Sequence, residues 1–351
     1  MPALSIVIPS NRTSLSAYGR IMSAGAWASD TIETVVRDNS CSAEKRNVLG
    51  LAEHPNFRVI FSELCDATTN FFEALGEARG DFVLFLGDDD AAFDRGIAGV
   101  ADVAASQAGD PSIAGITGPY LFEDFDASRI CGYENVDSAN IQSRIAGFLS
   151  FDGPNLIFNS AVRRELVQRV WDYAMRHPFR FPFHDQLCSL LYLLSGRFVS
   201  VGRLVYVYQN TNWEVRSGAH PADLRWYATA EMDPAIRWLQ WIICGFEGAG
   251  FIMHSPFGAQ HSAEERQALA NMWFATMFGR FVREPIVPTS SALHPAAAAL
   301  ADRWRSGSTN FSLDALLEEI SGFIAMFSPE KARAYTVYWR GVFGSGGSAS
   351  A

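Results

Sequence analysis

Asp81-Phe82-Val83-Leu84-Phe85-Leu86-Gly87-Asp88-Asp89-Asp90 is the stretch that decides how this chain is read. Five consecutive apolar residues, Phe82 to Leu86, are what a strand buried on both faces of an α/β sheet requires. Gly87 lets the backbone turn, and three carboxylates follow where open α/β sheets commonly hold ligands. Like charges this close repel one another unless a cation or abundant water offsets them. Oxygen-only donors suit a hard ion, Mg²⁺ or Mn²⁺, which usually arrives with a phosphate. A solvated acidic turn capping the next helix is the plain alternative, and the triplet alone does not choose between the two.

The sequence before this stretch repeats its pattern. Leu4 to Ile8 reads as a strand ending at Pro9, with the polar turn Ser10-Asn11-Arg12 and a helix from Thr13 to Ala26 behind it. Thr31 to Arg37 reads as a second strand, turned by Asp38-Asn39-Ser40 into a helix from Ser42; Phe57 to Phe61 and Ala67 to Ala78 add a strand and a helix. Strands alternating with helices imply βαβ units and a mostly parallel sheet. The three polar turns then line one sheet edge and share one ligand. Neither G-x-G-x-x-G after the first strand nor G-x-x-x-x-G-K-[ST] occurs, which leaves a metal as the expected clamp on phosphates.

With 351 residues the chain is long enough for two domains and a large core. Its formal net charge of -10 argues against nucleic acid as a partner. Its only lysines are Lys45 and Lys331, so basic charge is nearly all arginine, whose fork suits diphosphates. Cys41, Cys65, Cys131, Cys188 and Cys244 are odd in number and lack a C-x-x-C pair, as expected of reduced thiols in a cytoplasmic chain. No signal peptide or transmembrane helix is expected, because the start lacks a basic region before an apolar run and no long apolar run follows.

At this point the chain resembles the family 2 glycosyltransferases. Leu4-Ser5-Ile6-Val7-Ile8-Pro9-Ser10-Asn11 is similar to the family's opening strand and P-x-[YF]-N turn. Glu33 to Ser40 is similar to its "IIVVDDGS" segment, with Arg37 in place of an acid. Asn70 sits where the family has an asparagine, and Phe85 to Asp90 resembles its D-x-D strand end. The resemblance implies a GT-A fold, a Rossmann-like nucleotide-sugar-binding sandwich. It implies that Pro9, Ser10, Asn11, Arg12, Asp38 and Asn70 bind the nucleotide together with Asp88 and Asp89. Asp90 meets Mn²⁺ or Mg²⁺ with Asp88, and Asp89 is the spare; a register on Gly87-Asp88-Asp89 shifts these roles by one.

Farther on, a helix is expected over Arg95 to Ser106 and a strand over Ile113 to Gly118, whereas the region to Ser150 gives no clear pattern. A turn at Gly153-Pro154 and a strand over Asn155 to Asn159 follow, then a helix from Ala161 to Met175. By the resemblance, Asp152 and Asn155 lead into the sugar pocket, with a plain turn as the alternative. Inverting members carry an acidic pair before a helix where this chain has His184-Asp185. Asp185 is therefore the expected general base, with His184 as the alternative or as its orienting partner. Arg216 for the diphosphate and His220 for the metal complete the expected set.

From Pro221 the pattern becomes helical. Ile236, Leu239 and Ile243 share a face, as do Leu269, Met272, Trp273 and Met277, and then Leu313, Leu316, Leu317 and Ile320. Such stripes are expected to be core, with a homodimer surface, an acceptor-docking face or a peripheral patch against the inner membrane face as other uses. The expected division is a catalytic domain over 1–215, a helical domain over 216–343 and a flexible tail over 344–351. The expected activity is inverting transfer of a sugar from a UDP-sugar or GDP-sugar to a saccharide or lipid-linked acceptor, in polysaccharide or glycoconjugate synthesis. Two rivals stay open: a metal-dependent phosphohydrolase or nucleotidyltransferase using the Asp triplet, and a catalytically silent binding module.

Overall fold

The computed structural model describes residues 1–50, 54–123, 128–151, 155–179, 184–209, 239–283, 302 and 313–344. In chain order the first part runs β1 (Leu4–Ser10), α1 (Leu15–Gly25), β2 (Ile32–Asp38), α2 (Ala43–Leu49), β3 (Phe57–Phe61), α3 (Ala67–Gly76) and β4 (Phe82–Phe85). Then come β5 (Ala91–Ala92), α4 (Asp94–Gln107), β6 (Ile113–Thr117), β7 (Tyr120–Glu123), β8 (Ser128–Cys131), α5 (Ile141–Ser150), β9 (Ala161–Arg163) and α6 (Arg164–Arg176). The rest comprises α7 (His184–Ser195), β10 (Arg197–Ser200), β11 (Tyr206–Gln209), α8 (Leu239–His254), α9 (Ala263–Arg283), α10 (Leu313–Ala325) and α11 (Pro329–Phe343).

Among the described residues, seven strands form a sheet in the order β10-β6-β9-β4-β1-β2-β3. β1 runs parallel to both β2 and β4, β2 to β3 and β10 to β6, while β9 lies antiparallel between β4 and β6. Every residue of β1, β2 and β4 is buried, as the unbroken apolar runs require. Leu4, Ile6, Ile8 and Leu84 join a core with Ile21 of α1 and Ile97 and Val100 of α4. On the other side Phe85 meets Phe71 of α3 and Trp171 of α6, ring centroids 5.4 and 5.8 Å away. Helices thus cover both faces. A smaller sheet, β5-β11-β7-β8, carries Tyr206 opposite Ala92 and Tyr120.

Side-chain caps start several helices, α5 among them in the stretch that gives no clear pattern in sequence. Ser14, Ser42, Asp66 and Asn140 accept backbone N–H groups from Ala17, Lys45, Thr69 and Ser143 at the starts of α1, α2, α3 and α5. Two expectations fail. Ala161 to Arg163 is a strand, and the helix starts only at Arg164. Arg163 explains the early pairing, for its guanidinium donates to the carbonyls of Ile113 and Gln107 at 2.8 and 2.9 Å, capping the end of α4 beside β6. Asn155 to Asn159 is a turn rather than a strand. Leu156 gives its N–H to the Tyr133 hydroxyl at 3.0 Å, and Asn159 N–H closes back on the Leu156 carbonyl.

The chain divides into two compact units, residues 1–175 with 195–212 and residues 176–194 with 213–351. The second unit thus takes α7, which the expected division placed in the catalytic domain. In that unit α7 is buried from Leu187 to Leu194, and Gln260 Nε2 donates to the Leu194 carbonyl at 2.8 Å. Trp273 of α9 donates to the Cys244 carbonyl of α8 at 2.9 Å, and Phe246 stacks on Trp339 of α11 at 3.7 Å. Ile243, Leu269, Trp273, Met277, Leu316, Leu317 and Ile320 are buried, so these stripe residues are core; Met272 is half-buried and Ile236 lies outside the described residues. No helix among the described residues is long and apolar enough to cross a membrane.

Candidate active site

Parallel pairing of β1 with β2 and β4 sets the ends of three strands side by side. Ser10 is level with Asp38 in the β1–β2 register, and its Oγ donates to Asp88 Oδ2 at 2.5 Å. Asp88 also accepts the Arg12 backbone N–H at 3.2 Å and pairs through Oδ1 with the Arg12 guanidinium. That guanidinium reaches Asp89 Oδ1 at 2.8 Å as well. Asp88 is buried, whereas the Arg12 side chain is 45% exposed and bridges the two carboxylates from the solvent side.

A second cation stands inside. Lys45, three residues past the Ser42 cap, directs its ammonium at Ser10 Oγ (2.5 Å) and Asp38 Oδ1 (2.8 Å), and both Lys45 and Asp38 are buried. Asp38 also accepts the Ser40 N–H at 3.2 Å and the Ser40 hydroxyl at 3.0 Å, so both its oxygens hold protein donors. Asn70 is buried too. It accepts from Arg37 Nη1 at 2.6 Å and donates to Asn39 Oδ1 at 3.3 Å, tying α3 to the β2 turn, while Arg37 also pairs with Glu73.

Asp90 takes the Gly87 N–H on Oδ2 at 3.1 Å and a hydrogen bond from the Tyr206 hydroxyl of β11. Burial, then the charge of Asp89, pushes its carboxyl up to about 6, against the pull of Tyr206, Gly87 and Arg12. Burial likewise raises Asp89, with Arg12 opposing and Asp88 adding to the rise. Burial and the Asp90 charge push the Tyr206 phenol well up. Four carboxylates, Asp38, Asp88, Asp89 and Asp90, thus face two cations, Lys45 and Arg12. A divalent cation would relieve Asp90, whose charge is opposed by burial and by its neighbour Asp89.

A side chain at Gly87 would press on the carboxylates. A Cβ there would lie 2.5 Å from Asp90 Oδ2 and 2.9 Å from Asp89 Oδ1. Gly87→Ala is therefore expected to displace both carboxylates. A crystal structure of the folded variant checks this, and unmoved Asp89 and Asp90 would clear Gly87 of the role.

Within the first unit the structure gathers nine of the expected residues. Pro9, Ser10, Asn11, Arg12, Asp38, Asn70, Asp88, Asp89 and Asp90 cluster at the strand ends, with Pro9 buried and Asn11 exposed. Asn155 accepts the Phe158 N–H at 3.4 Å within its turn. Asp185 lies in the first turn of α7, in the second unit, and His184 begins that helix with its side chain outside the described residues. Asp152, Arg216 and His220 lie outside the described residues. Sequence reasoning missed Lys45 and Tyr206. Lysine rarity and the place of Lys45 one turn after a capping serine were the available signal; Tyr206 had none short of the topology.

No family model matches the sequence, and no curated protein matches it. Solved structures do match. S. aureus TarS, a GT-A-like glycosyltransferase, superposes with a TM-score of 0.54 at 13% identity over 97% of this chain and 55% of that one. S. aureus TarS 1-349 in complex with UDP-GlcNAc gives 0.50 at 14% identity, over 97% of this chain and 90% of that one. This chain thus spans about half of the longer TarS chain. At such identities the likeness is one of fold, and the GT-A expectation for the α/β sheet with a helical C-terminal region is borne out.

Proposed function

We propose that this chain is an inverting glycosyltransferase that moves a sugar from a nucleoside-diphosphate sugar, UDP favoured and GDP the alternative, to an acceptor hydroxyl. The observation that carries this reading is the meeting of three strand ends in one charged knot, Ser10, Asp38 and Asp88 held by Lys45 and Arg12 beside Asp90. Support also comes from the fold it shares with a protein solved with UDP-GlcNAc.

In this reading Asn11 and the half-exposed Arg12 meet the nucleotide and its diphosphate, as exposure and charge suit them to do. Asp38 and Asn70, whose polar atoms already hold protein partners, shape the pocket floor. Among the described residues no group of three or more His, Cys, Asp or Glu is placed to hold a metal ion by itself. An ion such as Mn²⁺ or Mg²⁺ needs only one or two carboxylates when phosphate oxygens complete its shell, and Asp90 fits that demand with Asp89 beside it. Asp88 fits less well, because both its oxygens are taken by Ser10 and Arg12. When bound, such an ion offsets charge that collects on the leaving diphosphate. Asp185 takes the acceptor proton as the acceptor oxygen bonds to the anomeric carbon, and the electron pair of the breaking C–O bond leaves with the diphosphate.

Thermal stabilisation by a panel of nucleotide sugars, with and without Mn²⁺, tests the reading. A true donor at 100 times its Kd stabilises the fold by ~2.7 kcal/mol. UDP-sugars or GDP-sugars are expected to raise the melting temperature in a Mn²⁺-dependent way. No stabilisation by any donor would sink the reading, and phosphate release without an acceptor would assign the triplet to hydrolysis.

A further inference from the structure

We infer that Lys45 is a positioning residue that acts through Ser10 on Asp88, fixing the carboxylate on which Arg12 is docked; this rests on the glycosyltransferase reading above. An ammonium carries three donors and no acceptor. Ser10 Oγ, 2.5 Å from Lys45 Nζ, therefore accepts from it, and the single Ser10 proton goes to Asp88 Oδ2, 2.5 Å away on the other side. The direction Lys45 to Ser10 to Asp88 follows from valence alone. All three side chains are buried, so water does not substitute for a lost member without a change in the fold.

Charge pairing by itself does not require this arrangement. Asp38, at 2.8 Å, already neutralises Lys45 and would suffice to tie α2 to the end of β2. The remaining donation crosses to β1 and, through Ser10, to the turn after β4, so one ammonium joins all three strand ends. Asp88 has no direct contact with Lys45 in this chain of bonds and receives its influence as an oriented hydroxyl. Arg12 is docked by Asp88 on the opposite oxygen, so the inner cation sets where the outer one waits.

Two variants separate positioning from plain structural pairing. Ser10→Ala keeps the Lys45–Asp38 pair and cuts the relay. The double variant Lys45→Met/Asp38→Asn removes both charges together and leaves neither buried alone. Ser10→Thr keeps a hydroxyl and serves as the rescue. Crystal structures of each report the Asp88 carboxylate and Arg12, and calorimetry with Mn²⁺ and UDP, or Mn²⁺ and GDP, reports affinity. The relay predicts that Asp88 and Arg12 swing from their parent positions in Ser10→Ala and in the double variant. Nucleotide affinity should fall about 10- to 100-fold, the cost typical of losing a residue that orients a binding group, and Ser10→Thr should return it to near the parent value. If Asp88 and Arg12 stay in place in a folded Ser10→Ala protein, or if affinity holds although they have moved, Lys45 is only a structural partner of Asp38. A parent protein that binds neither nucleotide refutes the glycosyltransferase reading instead, and the Asp88 position in the variants still decides the relay.

Discussion

Asn at position 185 is expected to cut sugar transfer by ~10² to 10⁴, the usual worth of a general base, while Mn²⁺-dependent nucleotide binding stays within about twofold of the parent. The substitution keeps the shape of the side chain and removes its ability to take a proton. Asp185 stands in the first turn of α7. Its charge reaches the buried thiols of Cys188 and Cys244, whose raised pKa values stem first from burial and then from Asp185. Initial rates with the donor found by the stabilisation screen, measured against acceptor hydroxyls or as slow donor hydrolysis, give the number. Normal turnover in Asp185→Asn would move the role to His184, and His184→Ala should then show the loss.

Asp90→Asn should separate stability from activity. In the metal-free protein the Asp90 carboxyl is pushed up to about 6 from its ordinary 3.8, so the folded chain holds that proton more tightly than the unfolded chain does. Stability from the neutral form is therefore complete below about 3.8 and is lost as pH rises through about 6, an effect on the order of 2–3 kcal/mol. Asparagine stays neutral throughout. In chelator, the difference in melting temperature between Asp90→Asn and the parent should grow in favour of the variant between pH 4 and 7. In Mn²⁺ the same variant should lose nucleotide affinity by more than the ~10–100-fold that removing a supporting partner of a metal ligand costs. Thermal melts across pH, with and without Mn²⁺ and UDP or GDP, check both halves. A variant that keeps Mn²⁺-dependent binding would free Asp90 from the metal.

What the sequence made legible follows from how local each cause is. β1, β2 and β4 are buried on both faces, so their unbroken apolar runs and the polar turns behind them could be read directly. Ser10, Asp38 and Asp88 meet because parallel pairing follows from the alternation of strands and helices, which is a pattern in one dimension. β9 was hidden because three residues are too few for a period and its partners come from β4 and β6. The turn at Asn155 to Asn159 looked like a strand because Leu156 and Ile157 are buried there without a strand partner, held by a distant tyrosine hydroxyl. Lys45 and Tyr206 act across the fold, and no spacing in sequence encodes how far a side chain reaches. α7 lies just before β10 in the sequence, yet its apolar residues pack within the other unit.

The polypeptide leaves the sheet unit at Arg176, re-enters it at Ser195 and leaves again at Trp213. A single cut near residue 215 would therefore not yield a self-sufficient sheet unit, since it strands α7 without α8 to α11, which share its unit. Grafting a different helical unit onto this scaffold calls for exchanging two pieces, residues 176–194 together with residues 213–351. Homologous replacement that swaps only the latter would mismatch the helix carrying Asp185 with its surroundings.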